Sequence, residues 1–191
     1  MTDQPVVDLT DPVAMRAYAH PLRISLVGLL RREGPLTATQ AARRLGENVP
    51  NCSFHLRQLA KYGLVERVEG ADARERPWRA TALMTRWGRD SDDAETRAAV
   101  DQLDGVIIRR FYERAMTWLA GRADDPPQWR AVTGPGDDLA YLTTDELGEL
   151  SQRIEALFEA YRPRQTDPSL RPPGARLVHV GYYVTTIDNQ P

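Results

Sequence analysis

Cysteine and histidine are scarce in this sequence, and long apolar runs are absent. The single cysteine, Cys52, excludes an internal disulfide. The three histidines, His20, His55 and His179, do not have the spacing of a metal-ligand motif, which excludes a zinc finger. No segment approaches the roughly 18 apolar residues of a membrane helix, and residues 1–10 lack the pattern of a signal peptide. We therefore expect a soluble, cytoplasmic protein without a cofactor, a metal or a membrane partner.

Both halves of the chain contain acidic and basic residues, but the first half is mainly basic and the second half mainly acidic. The 191 residues carry a net charge of -2. The stretch 16–89 has 14 basic and 6 acidic residues, a net +8, whereas the stretch 90–191 has 11 basic and 18 acidic residues, a net -7. Such asymmetry is typical of a polyanion-binding module joined to a region that does not contact the polyanion. Arginines on solvated helices would give the same count, so the motifs must decide.

The first part of the chain has the pattern of a compact helical module followed by a hairpin. Apolar spacing, proline at helix starts and glycine at helix ends predict four helices and then two strands joined by a charged turn. The first predicted helix starts at Thr10 or Asp11 and runs to about His20, and the second starts at Pro21 and is ended by Gly34-Pro35. The other predicted helices are 38–45 and 51–62, and the strands are 64–69 and 77–81. This order is that of a winged helix-turn-helix domain, whose second helix of the pair enters the DNA major groove.

The second part predicts a long helix and a small α/β unit. A helical pattern over residues 91–123 is too long to be covered by a small domain, so we expect it to pack on a partner chain. A strand at 139–142, a helix at 145–161 with a capping box, and a strand at 176–184 follow. The predicted fold class is mainly α with small β. The predicted regions are 1–90 for DNA binding, 91–123 for dimerisation and 124–191 for effector binding or dimerisation.

Three motifs carry a family resemblance. They are the run Ser53-x-His55-Leu56-x-x-Leu59 followed by Gly63-Leu64-Val65, the stretch Ala19-His20-Pro21-Leu22-Arg23, and the stretch Thr39-Gln40-Ala41-Ala42. Together they resemble ArsR-like winged helix-turn-helix regulators over about residues 12–85. The rest of the chain, in which the segment from Tyr141 to Leu147 precedes a helix and a final strand, is similar to longer, actinobacterial-type members of that family. The resemblance implies a DNA-binding repressor with its recognition helix at 51–62.

The recognition helix offers specific candidate DNA contacts. One outward stripe, at helical spacing, consists of Pro50, Phe54, Arg57 and Lys61. Arg57 can place a bidentate fork on guanine, Asn51 can pair with adenine or a phosphate, and Phe54 can contact a thymine methyl. Ser53 and Lys61 suit phosphates. A solvated helix face with one stray aromatic is the alternative.

Further candidates flank that helix. Arg74 and Arg76 lie in the charged turn of the hairpin and could reach a phosphate or the minor groove, or form ion pairs within the turn. Thr39 and Gln40 begin the preceding helix, where backbone N–H groups and the helix dipole favour a phosphate.

Regulatory sites are less well specified. We expect Cys52 to be a small core residue, with a redox-sensing thiol as the alternative. Metal sensors of the resembled family carry paired thiols, or histidines with carboxylates, on the helix before the recognition helix or on the dimer helices, and these are absent here. Trp118 and Trp129 are the candidates for lining a small-molecule effector pocket, and aromatic core is the competing interpretation.

These features predict a transcriptional regulator. No nucleophile with its base, acidic pair or phosphate-binding loop rises above background, so an enzyme is not expected. The expected partners are double-stranded DNA with a pseudo-palindromic operator, a second copy of the chain and, less specifically, a small-molecule effector. A protein-interaction adaptor that uses the winged-helix fold without DNA is the rival class.

Overall fold

The protein is mainly helical with small strands in the computed structural model, which describes residues 6–68 and 76–187. The mainly α fold class is thereby confirmed. In chain order the elements are β1 (Val6–Leu9), α1 (Pro12–Tyr18), α2 (Pro21–Glu33), α3 (Ala38–Leu45), α4 (Val49–Lys61), β2 (Val65–Arg67), β3 (Trp78–Ala80), β4 (Met84–Trp87), α5 (Ala94–Gly121), α6 (Pro127–Arg130), α7 (Thr144–Glu159) and α8 (Pro163–Thr166). Short 3-10 turns lie at Arg122–Asp124 and Pro168–Leu170.

Local capping sets the limits of α3 and α4. Thr37 caps α3 in a capping box, and Gly46 ends it with a φ of 67°, a left-handed conformation that glycine adopts without strain. The Asn48 side chain caps α4 by accepting from the Asn51 N–H at 2.8 Å. The helix therefore begins at Val49, two residues before the predicted start. Pro50 is tolerated in its first turn because the backbone N–H groups there have no partner within the helix.

Two small sheets accompany the helices. Strands β2 and β3 pair antiparallel, with Val65 opposite Ala80 and Arg67 opposite Trp78, as the predicted hairpin requires. The turn of this hairpin, with the candidate Arg74, lies outside the described residues. Strands β1 and β4 pair in parallel and were not predicted, because a pairing between distant segments leaves no local signal in either of them.

Helix α2 is central to the core of the first part of the chain. Its buried residues recur at helical spacing and include Leu26, Val27, Leu29 and Leu30. They pack in one cluster with buried residues of α1, α3, α4, the hairpin and the start of α5. Burial of this apolar surface is the main favourable term in folding of the region, at about 25 cal/mol per Å².

The chain divides into two compact units within α5. One unit comprises the described chain up to Arg110 together with the residues from Tyr183 onward, and the other is Phe111–Tyr182. The predicted division into residues 1–90, 91–123 and 124–191 stays a prediction. In the second unit, none of the described residues is buried.

The prediction of two strands in the second part of the chain is wrong. Residues 139–142 and 176–184 are irregular, and the described chain after Trp87 contains no strand, so the predicted α/β character of the C-terminal part is not found. Both segments have the composition of strands, but a strand forms only when a partner supplies hydrogen bonds. The predicted helix is present as α7, with the capping box between Thr143 and Glu146.

Candidate nucleic-acid interface

Helix α4 has one buried face and one exposed face. Cys52, Leu56 and Leu59 are fully buried, and His55 is nearly so. The opposite stripe of Pro50, Phe54, Arg57 and Lys61 is exposed, as the helical spacing predicts. Phe54 is 47% exposed, which leaves its ring on the surface beside Arg57. The helix thus presents one aromatic and two cationic side chains to solvent.

A pair of histidines fixes the buried face of α4 against the start of α2. The His55 Nδ1 accepts a hydrogen bond from Arg23 Nε at 3.1 Å. The His20 ring lies against it, with 4.4 Å between ring centroids, and the His20 Nδ1 accepts from the Leu22 N–H at 3.2 Å. Because both Nδ1 atoms are acceptors, both rings must be neutral in this arrangement. His55 therefore has a structural role in this arrangement.

The surroundings of the histidine pair favour the neutral form. Burial and the charge of Arg23 lower the pKa of His20, and burial, His20 and Arg23 lower the pKa of His55. Glu47 opposes both shifts but is the smallest of these influences. Helix α4 consequently rests on an uncharged imidazole pair near neutral pH.

Helix α4 and the hairpin contribute to one positive region. The pKa of Arg67 is lowered first by burial and then by the positive charges of Arg76 and Arg57. The Arg67 guanidinium lies over the Trp78 ring, 3.9 Å from its centroid, and donates to the Arg76 carbonyl. The positive charges of α4 and of the hairpin repel one another, and a bound polyanion would relieve this repulsion.

The cations of this region are available for such a partner. Within the part of the chain that the structure describes, Arg57, Lys61 and Arg76 have exposed side chains and no ion-pair partner. Arg67 was not among the sequence candidates. Its position over Trp78 depends on the register of the hairpin, which no short motif encodes.

The remaining DNA-contact candidates are placed less favourably. Thr39 and Gln40 are exposed in the first turn of α3, but Gln40 Oε1 accepts from the Thr37 N–H at 2.8 Å, so only its amide N–H groups remain for a phosphate. Asn51 is half-buried and donates to Glu47 at 3.2 Å, and Ser53 is also half-buried. All of the proposed contacts stay predictions.

The effector candidates belong to the second unit, and the thiol candidate lies on the buried face of α4. Trp118 and Trp129 are partly buried in the second unit, and an arginine lies over each ring, Arg122 at 5.5 Å and Arg176 at 5.1 Å from the centroid. An effector pocket at these tryptophans stays a prediction. Cys52 is fully buried, and burial together with Glu47 raises the pKa of its thiol, which disfavours the reactive thiolate.

Neither a metal site nor a membrane helix is found in the described residues. No group of three or more His, Cys, Asp or Glu side chains among them could hold a metal ion. No helix within residues 6–68 and 76–187 is both long enough and apolar enough to cross a bilayer.

Comparison with known proteins identifies the region that contains this surface. Residues 18–68 match the model of a helix-turn-helix domain family, which belongs to the ArsR-like clan. This segment is a helix-turn-helix domain. It contains α2, α3 and α4, so the exposed stripe of α4 belongs to the helix-turn-helix domain. The match covers about a quarter of the chain, and membership of the whole chain in the ArsR-like family stays a prediction. No curated protein matches the sequence.

Several solved structures resemble the chain weakly. MarR from E. coli, in its apo form, is 14% identical with a TM-score of 0.31, covering 76% of this chain and 86% of that one. RV1404 from Mycobacterium tuberculosis is 17% identical, with a TM-score of 0.30 and coverage of 78% and 83%. A point mutant of S. aureus MepR bound to an oligodeoxyribonucleotide is 15% identical, with a TM-score of 0.30 and coverage of 78% and 87%. At values this low, the helix-turn-helix match is the comparison that bears on function.

Proposed function

We propose that this protein is a dimeric, sequence-specific DNA-binding transcriptional regulator that acts as a repressor. One observation carries the proposal. The outer stripe of α4 exposes Phe54, Arg57 and Lys61, and neither of these two cations has an ion-pair partner among the described residues. The positive charge of Arg57 lies close enough to Arg67 of the hairpin to lower its pKa, as does that of Arg76. A helix-turn-helix domain with this surface can place α4 in a major groove and the hairpin along the phosphates.

The residues of this surface would have different roles in DNA binding. Arg57 has the planar fork that pairs with guanine O6 and N7, and Phe54 supplies an apolar surface for a thymine methyl. The Lys61 ammonium and the Arg76 guanidinium can bind phosphates. Such contacts set the register of the protein on the duplex without reading its sequence. The neutral histidine pair supports this function indirectly, since it holds α4 on α2 and adds no charge beneath the reading face.

A dimer is proposed because α5 keeps an apolar stripe in solvent. Tyr112, Met116 and Leu119 recur at helical spacing on α5 and are each about half exposed or more. A second copy packed on this stripe would give a dimer, and dimeric helix-turn-helix proteins bind two successive major grooves. The half-sites of a pseudo-palindromic operator would then be about 10 bp apart, or a multiple of that distance.

The decisive experiment measures the affinity of the purified protein for fluorescent duplexes across a salt series. One duplex comes from the DNA upstream of its own gene, and the other is a scrambled duplex of equal length and composition. We expect tighter binding to the upstream duplex and a log affinity that falls linearly with log salt. Equal affinity for both duplexes would contradict sequence-specific binding, and affinity indifferent to salt would favour the adaptor.

A matched pair of arginine variants assigns the interaction to α4. Arg57→Ala should weaken binding by about 1–3 kcal/mol and relax base preference at one operator position. Arg153→Ala removes an exposed arginine from α7 and should leave the affinity unchanged. Equal losses in the two variants would show that charge alone, and not the face of α4, determines binding.

A further inference from the structure

The segment Arg176–Tyr182 is anchored in the second unit although it forms no regular structure. Arg176 pairs with Asp125 at 2.9 Å, and its guanidinium lies over the Trp129 ring. Three residues later, the His179 ring meets Phe111 of α5 edge-on, with 5.1 Å between ring centroids. Two different side chains therefore hold this short segment at a defined position.

Gly181 completes this anchorage. A Cβ atom at this position would lie 2.9 Å from the His179 ring and 3.1 Å from the Phe111 ring, too close for a side chain without movement of both rings. The backbone at Gly181 therefore approaches α5 as closely as it does only because the residue is glycine. Such a close approach indicates a specified position of the segment within its unit.

The same segment presents open backbone groups and apolar side chains to solvent. Leu177, Val178, Val180 and Tyr182 form no backbone-to-backbone hydrogen bond with any part of the chain that the structure describes. Their side chains have strand-forming character and are exposed, from 80% at Leu177 to 46% at Tyr182, with the two valines between these values. A β-branched and aromatic segment with open hydrogen-bonding groups is a template for another strand.

The amount of exposed apolar surface argues for a second copy as the partner. In the second unit, fifteen large hydrophobic residues are exposed. At about 100 Å² for each such side chain, they leave on the order of 1,000 Å² or more of apolar surface in water. A stable interface buries about 800 Å² per partner, so the exposed apolar surface of this unit is large enough to form one. Surfaces this apolar are typical of homodimers.

We propose that residues Leu177–Tyr182 of one protomer pair antiparallel with the same residues of a second copy, forming a two-stranded sheet across the dimer axis. An antiparallel pair of identical strands is related by a two-fold axis, so one sequence satisfies both edges. The pairing gives partners to the N–H and C=O groups of Val178, Val180 and Tyr182, which point to the same edge of an extended segment. The proposal rests on the dimeric assembly proposed above and names the segment that completes it.

Hydrogen exchange of the full-length protein tests the pairing directly. Exchange is followed at two protein concentrations, chosen by sedimentation so that the dimer predominates in one sample and the monomer in the other. We expect the amides of Val178, Val180 and Tyr182 to exchange at least about tenfold more slowly in the dimer. Unprotected amides in a dimeric sample would overturn the proposal, and so would equal protection in the monomer or a chain that remains monomeric.

A proline variant supplies an independent measurement. Val180→Pro removes one N–H donor in the middle of the segment and should raise the dimer dissociation constant at least about tenfold. Asp137→Pro, in an exposed irregular stretch, is the matched control and should leave the constant unchanged. Equal dissociation constants for Val180→Pro and the wild type would overturn the proposal.

These readouts are separable from the proposed DNA-binding function. If the wild type discriminates its operator but residues 177–182 stay unprotected in its dimer, the strand pairing fails and the regulator stands. If these residues are protected in a dimer that binds both duplexes equally, the pairing stands and the specific regulator fails.

Discussion

The two units of the chain treat apolar side chains in opposite ways. In residues 6–110, apolar residues from five helices and the hairpin converge in one buried cluster. In Phe111–Tyr182, leucines, valines and tyrosines of similar number stay exposed, and none of the described residues is buried. The first unit thus contains its own core, whereas the second has helices and loops stabilised mainly by local bonds. The proposed dimer would cover part of this exposed apolar surface.

The largest expected difference between the units is the cost of removing a leucine side chain. Leu56→Ala removes a fully buried side chain from the helix-turn-helix core and should lower the free energy of unfolding by about 2–5 kcal/mol. Leu157→Ala, at a residue 70% exposed on α7, should change the free energy of monomer unfolding by less than about 0.5 kcal/mol. Urea denaturation of both variants at low protein concentration measures the contrast.

Equal destabilisation of the two leucine variants would remove this contrast between the units. Such a result would mean that the second unit buries Leu157 within a single chain in solution. Repeating the measurement at high protein concentration sharpens the test, because a dimer that covers α7 would make Leu157→Ala destabilising only there.

The next largest effect concerns pH and the histidine pair of the first unit. The pKa values of His20 and His55 are lowered on folding, so near and below pH 6.5 the unfolded chain binds more protons than the folded one. Stability should therefore be complete above about pH 6.5, the usual histidine pKa, and decline as the pH falls through this value toward the lowered values. Denaturation midpoints between about pH 5.5 and 7.5 measure this decline.

Two variants identify the groups responsible for the pH effect. His55→Gln keeps an oxygen acceptor for Arg23, and His20→Asn keeps a helix-capping acceptor, but neither side chain titrates. Each should flatten the pH dependence of the denaturation midpoint. The carboxyls whose pKa is lowered, Asp93, Glu146 and Asp167, lose their charge at lower pH and do not contribute in this window. An unchanged slope in both variants would refute the role of the pair.

A smaller effect compares two capping boxes of the same design. Thr37 caps α3 in the first unit and Thr143 caps α7 in the second, each paired with the residue three positions later. Thr37→Ala should lower the global free energy of unfolding by about 1 kcal/mol, because α3 is packed in the core. Thr143→Ala should instead speed amide exchange in the first turn of α7 and leave the midpoint of global unfolding unchanged, since α7 has no buried residue.

The smallest effect tests the charge difference between the units. Lys61→Ala should weaken binding to operator and scrambled DNA alike and lower the salt slope by about 1, as expected for the loss of one phosphate contact. Arg153→Ala in the acidic part of the chain should leave the slope unchanged. A change of base preference in Lys61→Ala would show that Lys61 reads bases.

Much of the helix-turn-helix region was predictable from its sequence because its signals are local. The capping threonine before α3, the glycines after α3 and α4, and the apolar spacing of α2 each act within a few residues. The buried and exposed faces of α4 follow from helical spacing alone, so Arg57 and Lys61 were correctly expected on the surface. The positive field shared by Arg57, Arg67 and Arg76 was only partly predictable, because it depends on how α4 packs beside the hairpin.

The failures of prediction involve pairing between distant segments. Strands β1 and β4 were missed because their pairing joins residues nearly eighty positions apart. The segments 139–142 and 176–184 were predicted as strands from composition, but the described chain supplies no partner for either. Strand propensity reports how well a side chain fits a sheet and does not create the neighbouring strand.

The sequence by itself determined the helices of the first unit, their caps, the outward face of α4 and the separation of charge, because each depends on neighbours one to four residues away. Only the tertiary structure decided that His20 and His55 meet over Arg23, that Arg67 lies on Trp78 beside the cations of α4, and that the second unit leaves its apolar side chains in water. These features depend on which distant surfaces come together, and that choice is made by the burial of the whole core rather than by any short segment.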